Sequence, residues 1–166
     1  MYRRISDFIN DWQREVECTA SVFSALTNET LVKEIHADVR SLQRIAWHLI
    51  ETMPEMGMSA GLFSENSLSG VPVPTDVQEL VSQYKNYADQ LAKAVHLKWT
   101  DSTLEDTVEM YGDVWTKGKT LQVFLVHQTH HRGQMTVIMR MLGLEVPNVY
   151  GPTKEDWLRM GLPVQA

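Results

Sequence analysis

The chain contains a single cysteine, Cys18, so neither an intrachain disulfide nor a thiolate-rich zinc site can form. That lone thiol lies within a regular helical pattern and reads as an ordinary small core residue. Its isolation fits a reducing cytoplasm. Basic charge is also scarce: acidic residues outnumber Lys and Arg, the net charge is -6 and the pI is about 5.5. Broad binding to a phosphate backbone needs clustered Lys and Arg, so nucleic acid is not an expected partner. No apolar run reaches the roughly 18 residues of a membrane span, and Arg3 and Arg4 have no apolar segment behind them. Neither a membrane partner nor a secretory signal is expected, and the protein reads as cytoplasmic. A glycine-rich phosphate loop and a serine-nucleophile motif are both missing.

What is present is helical periodicity along one expected domain, residues 1–166, long enough to bury a core without crosslinks. Ile5, Phe8, Ile9, Trp12, Val16, Ala20 and Phe23 recur every three or four positions and predict a helix over about residues 4–26. Leu42, Ile45, Ala46, Leu49 and Met53 predict a second from about residue 39 to Pro54, whose missing amide hydrogen should end or kink it. On that helix His48 falls toward the edge of the apolar stripe, and Trp47 is expected to point away from its centre. Residues 57–74 carry glycine, serine and proline and read as a long irregular connection able to cap a bundle opening. Thr75 and Gln78 have capping-box spacing ahead of a third helix through Val77, Leu80, Tyr84, Tyr87, Leu91 and Val95. Residues 100–118 read as a small hairpin about Gly112-Asp113, or as a loop. A fourth helix spans about Lys119 to Leu142 with Gly143 as its stop, and Thr153 opens a short C-terminal helix. Four long helices with two lengthy connections predict an all-α four-helix bundle. Val123, Val126, Val137 and Met141 form an extra apolar strip on the fourth helix, which a homodimer interface would cover.

The chemistry concentrates in histidine. His127 and His131, four apart in VFLVHQTHHRGQMTVIMRML, share a helical face with Phe124, Met135, Ile138 and Leu142. Either alone reads as a core histidine bonded to a neighbour. Together they are desolvated twice over and repel when protonated, which is poor packing unless a shared cation offsets it. Neutral imidazole is a favoured donor for zinc, nickel, copper and iron. His48, on the second helix, would supply a third nitrogen and leave coordination positions open, as catalytic sites do.

The remaining candidates have plainer readings. His130 is offset by one residue and should project to a flank, while His36 and His96 near helix ends read as solvated or capping groups. Gln128 stands where a zincin needs its glutamate, which excludes that class of protease. Glu51 and Glu55, one turn apart, read as a solvated face with an approach to the site as the second reading, and Arg44 and Arg132 as surface ion-pair partners. Binding an anionic cosubstrate is the second reading for the two arginines. The methionine clusters read as core filler.

RSLQRIAWHLIETMPEM followed by LVHQTHHRGQMTVIMRMLGLEVPNVYGP resembles the DinB family of DinB/YfiT-like metalloenzymes, over most of the chain. The resemblance implies an up-down-down-up four-helix bundle, usually homodimeric, with a divalent metal near one end. Carried over by position, the ligands are His48, His127 and His131, with zinc or nickel as the usual occupant. It also implies kinship with thiol-dependent S-transferases and a mycothiol-dependent isomerase, in which a low-molecular-weight thiol meets the metal.

The chain therefore reads as a metal-dependent hydrolase or thiol-dependent transferase whose open position takes water or a thiol for attack on an electrophilic small molecule. No general base is identifiable. The alternative is a non-catalytic dimeric bundle that binds a metal or small ligand in a stress response. A dimeric adaptor with three structural histidines ranks behind both.

Overall fold

The first apolar stripe forms α1 (Ile5–Ser24) in a computed structural model that describes residues 1–164. Ile5, Phe8, Trp12, Ala20 and Phe23 are buried as the spacing requires, with Ile9 and Val16 half-buried at the flank. Trp12 donates its indole N–H to the Ala88 carbonyl at 3.1 Å, which satisfies the one polar atom of a buried ring and ties α1 to α4 (Val77–Lys98). Thr27 caps a single turn, α2 (Asn28–Leu31), too short to show a periodic signal.

Ser41 accepts the Arg44 amide and opens α3 (Leu42–Ser59), which does not end at Pro54. The helix passes through Pro54 and ends near Gly61, whose φ of 74° suits glycine. Proline removes one ladder hydrogen bond, but Met53, Pro54, Met56 and Gly57 are all buried, so packing holds the turn. Trp47, expected to point away from the centre of the apolar stripe, is buried as well, at 2 % exposed. α3 is flanked by α2 and the hairpin as well as by α4 and α5 (Lys117–Met141), so almost its whole circumference has partners.

Asp76, rather than Thr75, caps α4, accepting the Glu79 amide at 3.0 Å. Its other oxygen accepts from the Asn28 side chain, so α2 is fastened to the start of α4. After a 3-10 turn (Asp101–Glu105), β1 (Thr107–Met110) pairs antiparallel with β2 (Asp113–Thr116). The two-residue turn is Tyr111-Gly112, one position earlier than the sequence suggests. Both residues have positive φ, as a tight hairpin of this hand requires. Thr116 caps α5, and Gly143 at φ 78° follows its end. Thr153 and Asp156 form the capping box of α6 (Lys154–Arg159).

α1 and α3 sit across the bundle from each other, each packed between α4 and α5. This is an all-α bundle with one small hairpin leaning on α3 and α5. Among the described residues no helix is long and apolar enough to cross a membrane.

Candidate metal centre

α3 and α5 face each other, and that contact brings His48 to the pair one turn apart on α5. The Nε2 of His127 lies 3.1 Å from that of His48 and 3.0 Å from that of His131. One ligand atom from each ring falls within 4.8 Å of the others, so the three can hold one metal ion. Metal–nitrogen bonds of about 2.0–2.1 Å place two imidazole nitrogens on one ion about 3 Å apart, the separation seen here. His131 is buried, and His48 and His127 are half-buried.

The outer ring nitrogens explain why a cation suits this cluster. His131 Nδ1 meets Gln134 Oε1 at 2.7 Å, while the Gln134 amide nitrogen points at His130 Nε2, 3.2 Å away. That arrangement puts the His131 proton on Nδ1 and leaves Nε2 as a lone pair. His48 Nδ1 faces Glu51 Oε1 at 3.5 Å, which favours the same tautomer. His127 then confronts two lone pairs with at most one proton on Nε2. One close nitrogen pair is left repulsive unless a cation lies between them.

Protonation is an unfavourable remedy. Burial, followed by the charges of His131 and His48, lowers His127 to about 4. Burial likewise lowers His48 and His131, against the opposing pull of Glu51 on the first and Gln134 on the second. The positive charge of Arg40 works in the lowering direction at all three rings. Neutral imidazoles are the form that ligates metal.

Other sequence candidates fall in different places. Glu51 is not on a solvated face: it is half-buried, 2.5 Å from Arg44 Nη2, and linked through its carboxylate to His48. Glu55 is placed apart from the histidines, accepting from Tyr111 at 3.4 Å. His130 is exposed and acts through Gln134, and His36 accepts the Asp38 amide at the surface. Arg132 corrects the surface expectation most sharply. Its side chain is 2 % exposed, and Nη2 lies 2.5 Å from Glu15 Oε2 while Nη1 donates to Thr19 at 2.9 Å. Tyr150 joins the same pair, its hydroxyl donating to Glu15 at 2.6 Å. Gln128, beside His127 in sequence, turns the other way and accepts from Tyr84 at 3.0 Å. Glu15 escaped the sequence reading because one acidic residue within an apolar stripe has no spacing signal of its own.

Next to His131 opens a cleft of about 680 Å³, walled by Ile35, Val39, Ile45 and Ile138, with Val137 and Met141 at its outer side. The apolar strip of α5 is exposed along Val126, Val137 and Met141, while Val123 packs against the core.

Comparison with known proteins places the fold in a family. The chain is 35% identical to a Bacillus subtilis (strain 168) protein described as uncharacterized protein YrdA, over 98% of this chain and 97% of that one. Its fold is similar to the crystal structure of a DinB-like protein from Bacillus cereus ATCC 10987, with a TM-score of 0.80 and 34% identity, covering 90% of this chain and 100% of that one. A second DinB-like protein, YjoA from Bacillus subtilis, shares the fold with a TM-score of 0.68 at 14% identity, over 86% of this chain and 97% of that one. Residues 1–161 match the DinB family model. With a three-histidine cluster able to hold a metal and a family match over nearly its whole length, the chain belongs to the DinB family.

Proposed function

We propose that the protein is a metal-dependent enzyme in which His48, His127 and His131 hold one divalent ion, zinc or nickel, with an open position for water or a thiol cosubstrate. The observation supporting this is the convergence of three Nε2 atoms whose partners on the outer side, Gln134 and Glu51, turn lone pairs inward. When bound, such an ion lowers the pKa of a coordinated water or thiol and so supplies a nucleophile at neutral pH.

The chain's own residues do the rest. Gln134 and Glu51 fix ring orientation, and partial burial keeps the imidazoles neutral and ligating. The apolar wall beside His131 can hold an electrophilic molecule and shed its water. A thiol S-transferase-like reaction and a hydrolysis use the same arrangement and differ in the incoming nucleophile. The proposal includes a cytoplasmic homodimer, supported by the free Cys18 and by Val126 and Met141 standing 54% and 63% exposed on one helix.

Elemental analysis of purified protein, followed by thiol consumption with monochlorobimane, tests this. About one ion per chain, lost in His127→Ala, is expected, with thiol consumption only in the metal-loaded protein. Full metal occupancy in His127→Ala removes the ligand set. Metal binding without thiol affinity or turnover across electrophiles and esters leaves a non-catalytic metal-binding bundle instead.

A further inference from the structure

Two arginines near the histidines in sequence are already engaged: Arg44 with Glu51, and Arg132 with Glu15. Arg40 is different. It is exposed, lines the cleft together with His131, and makes no ion pair with any described residue. Asp38, the carboxylate lining the same cleft, lies 3.7 Å from His36. Nor is Arg40 remote from the metal centre, since it shares the wall of this cleft with His131.

A guanidinium without a partner, lining a largely apolar cleft of about 680 Å³, has a definite ligand preference. The volume is that of a small-molecule site. Its walls reward apolar surface, and the fork of Arg40 can grip a carboxylate through two parallel hydrogen bonds. One cation beside an aspartate, in a protein of net charge -6, suits a monoanion better than a doubly charged phosphate.

We propose that this cleft binds a small carboxylate with an apolar body, its charged end held by Arg40 in the cleft that His131 lines and its chain lying along Val39, Ile45 and Ile138. This names a substrate class for the site and rests on the enzyme reading only for what happens chemically to the bound molecule. Arg40 is thus assigned as a specificity-determining residue. The anion-binding role that was the second reading for Arg44 and Arg132 is here assigned to Arg40, which precedes α3 and is unpaired among the described residues.

Isothermal titration of hexanoate, hexanol and hexyl phosphate into chelated protein tests the assignment without any metal to ligate the carboxylate. Amide NMR shifts would locate the site. Hexanoate should bind at least tenfold more tightly than hexanol and more tightly than hexyl phosphate, shifting residues around Val39 and Ile138. Arg40→Met, which keeps the apolar stem, should cut hexanoate affinity about tenfold and leave hexanol unchanged, with partial rescue by Arg40→Lys. Equal hexanoate affinity in Arg40→Met, or tighter binding of the phosphate, overturns the proposal. So does failure of hexanoate to bind while Val137→Asp converts a dimer to monomers, because the face then belongs to a second copy. Carboxylate binding in a protein that never takes up metal would sink the enzyme reading alone. Metal binding without carboxylate binding would sink only this one.

Discussion

Replacing Arg132 by methionine should be among the most damaging single changes in this protein, although the residue touches no proposed metal ligand. Methionine fills much of the arginine's volume, so the perturbation is mainly electrical. Glu15 would keep its charge with its side chain only 8% exposed, retaining the Tyr150 hydroxyl but losing the guanidinium 2.5 Å away. Removing one partner of a buried pair costs about 3–5 kcal/mol, because the other is left as an uncompensated charge. For a chain of this size each kcal/mol shifts Tm by about 2–4 °C, so a fall of about 6–20 °C is expected. Glu15→Gln combined with Arg132→Met removes the stranded charge and should recover at least half of the loss. Urea and thermal melts followed by circular dichroism measure both variants. If Arg132→Met stays within about 1 kcal/mol of the parent, or the double variant is no more stable than the single, the buried-pair account is wrong.

Chelation should lower Tm, and His48→Ala should abolish the difference between chelated and metal-loaded protein. An ion at 100 times its Kd stabilises by about 2.7 kcal/mol, and an unchanged melt after chelation would contradict a shared site. In chelated protein, stability should fall as pH drops from about 6.5, the unfolded value for histidine, to the value of about 4 held by His127, then level off for this group. Across that window the unfolded chain binds a proton that the folded chain refuses, and His48 and His131 act in the same direction. Comparison with His127→Gln isolates the effect from the carboxylates; identical pH profiles for the two proteins would refute it. Gly118→Ala should destabilise by about 1–3 kcal/mol by overpacking, since a Cβ there would stand 2.4 Å from the Tyr2 carbonyl oxygen. Parent-like melts would show that the N-terminal segment simply moves aside.

Periodicity made the long helices legible, because burying one face of a rod forces apolar residues to return every three or four positions. The same rule placed His127 and His131 on one face, and identified Phe124, Met135 and Ile138 as their buried neighbours. It failed where a helix has more than one covered side. Trp47 lies off the centre of the apolar stripe of α3 and is nonetheless buried, on a helix that packs against α2 and the hairpin as well as α4 and α5. Pro54 does not end α3 for a related reason: burial on a crowded helix outweighed one missing hydrogen bond.

The charged residues show the limit most clearly. Sequence alone determined which side chains share a turn, hence the histidine pair on α5 and its Gln128, which excludes a zincin. Only the packing of α3 against α5 decided that His48 meets that pair, and only the packing of α1 against α5 decided that Glu15 and Arg132 find each other 117 residues apart. Spacing along a helix is set by covalent geometry. Which charge is neutralised, and which arginine stays free in the cleft beside His131, depends on contacts between distant segments that local periodicity does not encode.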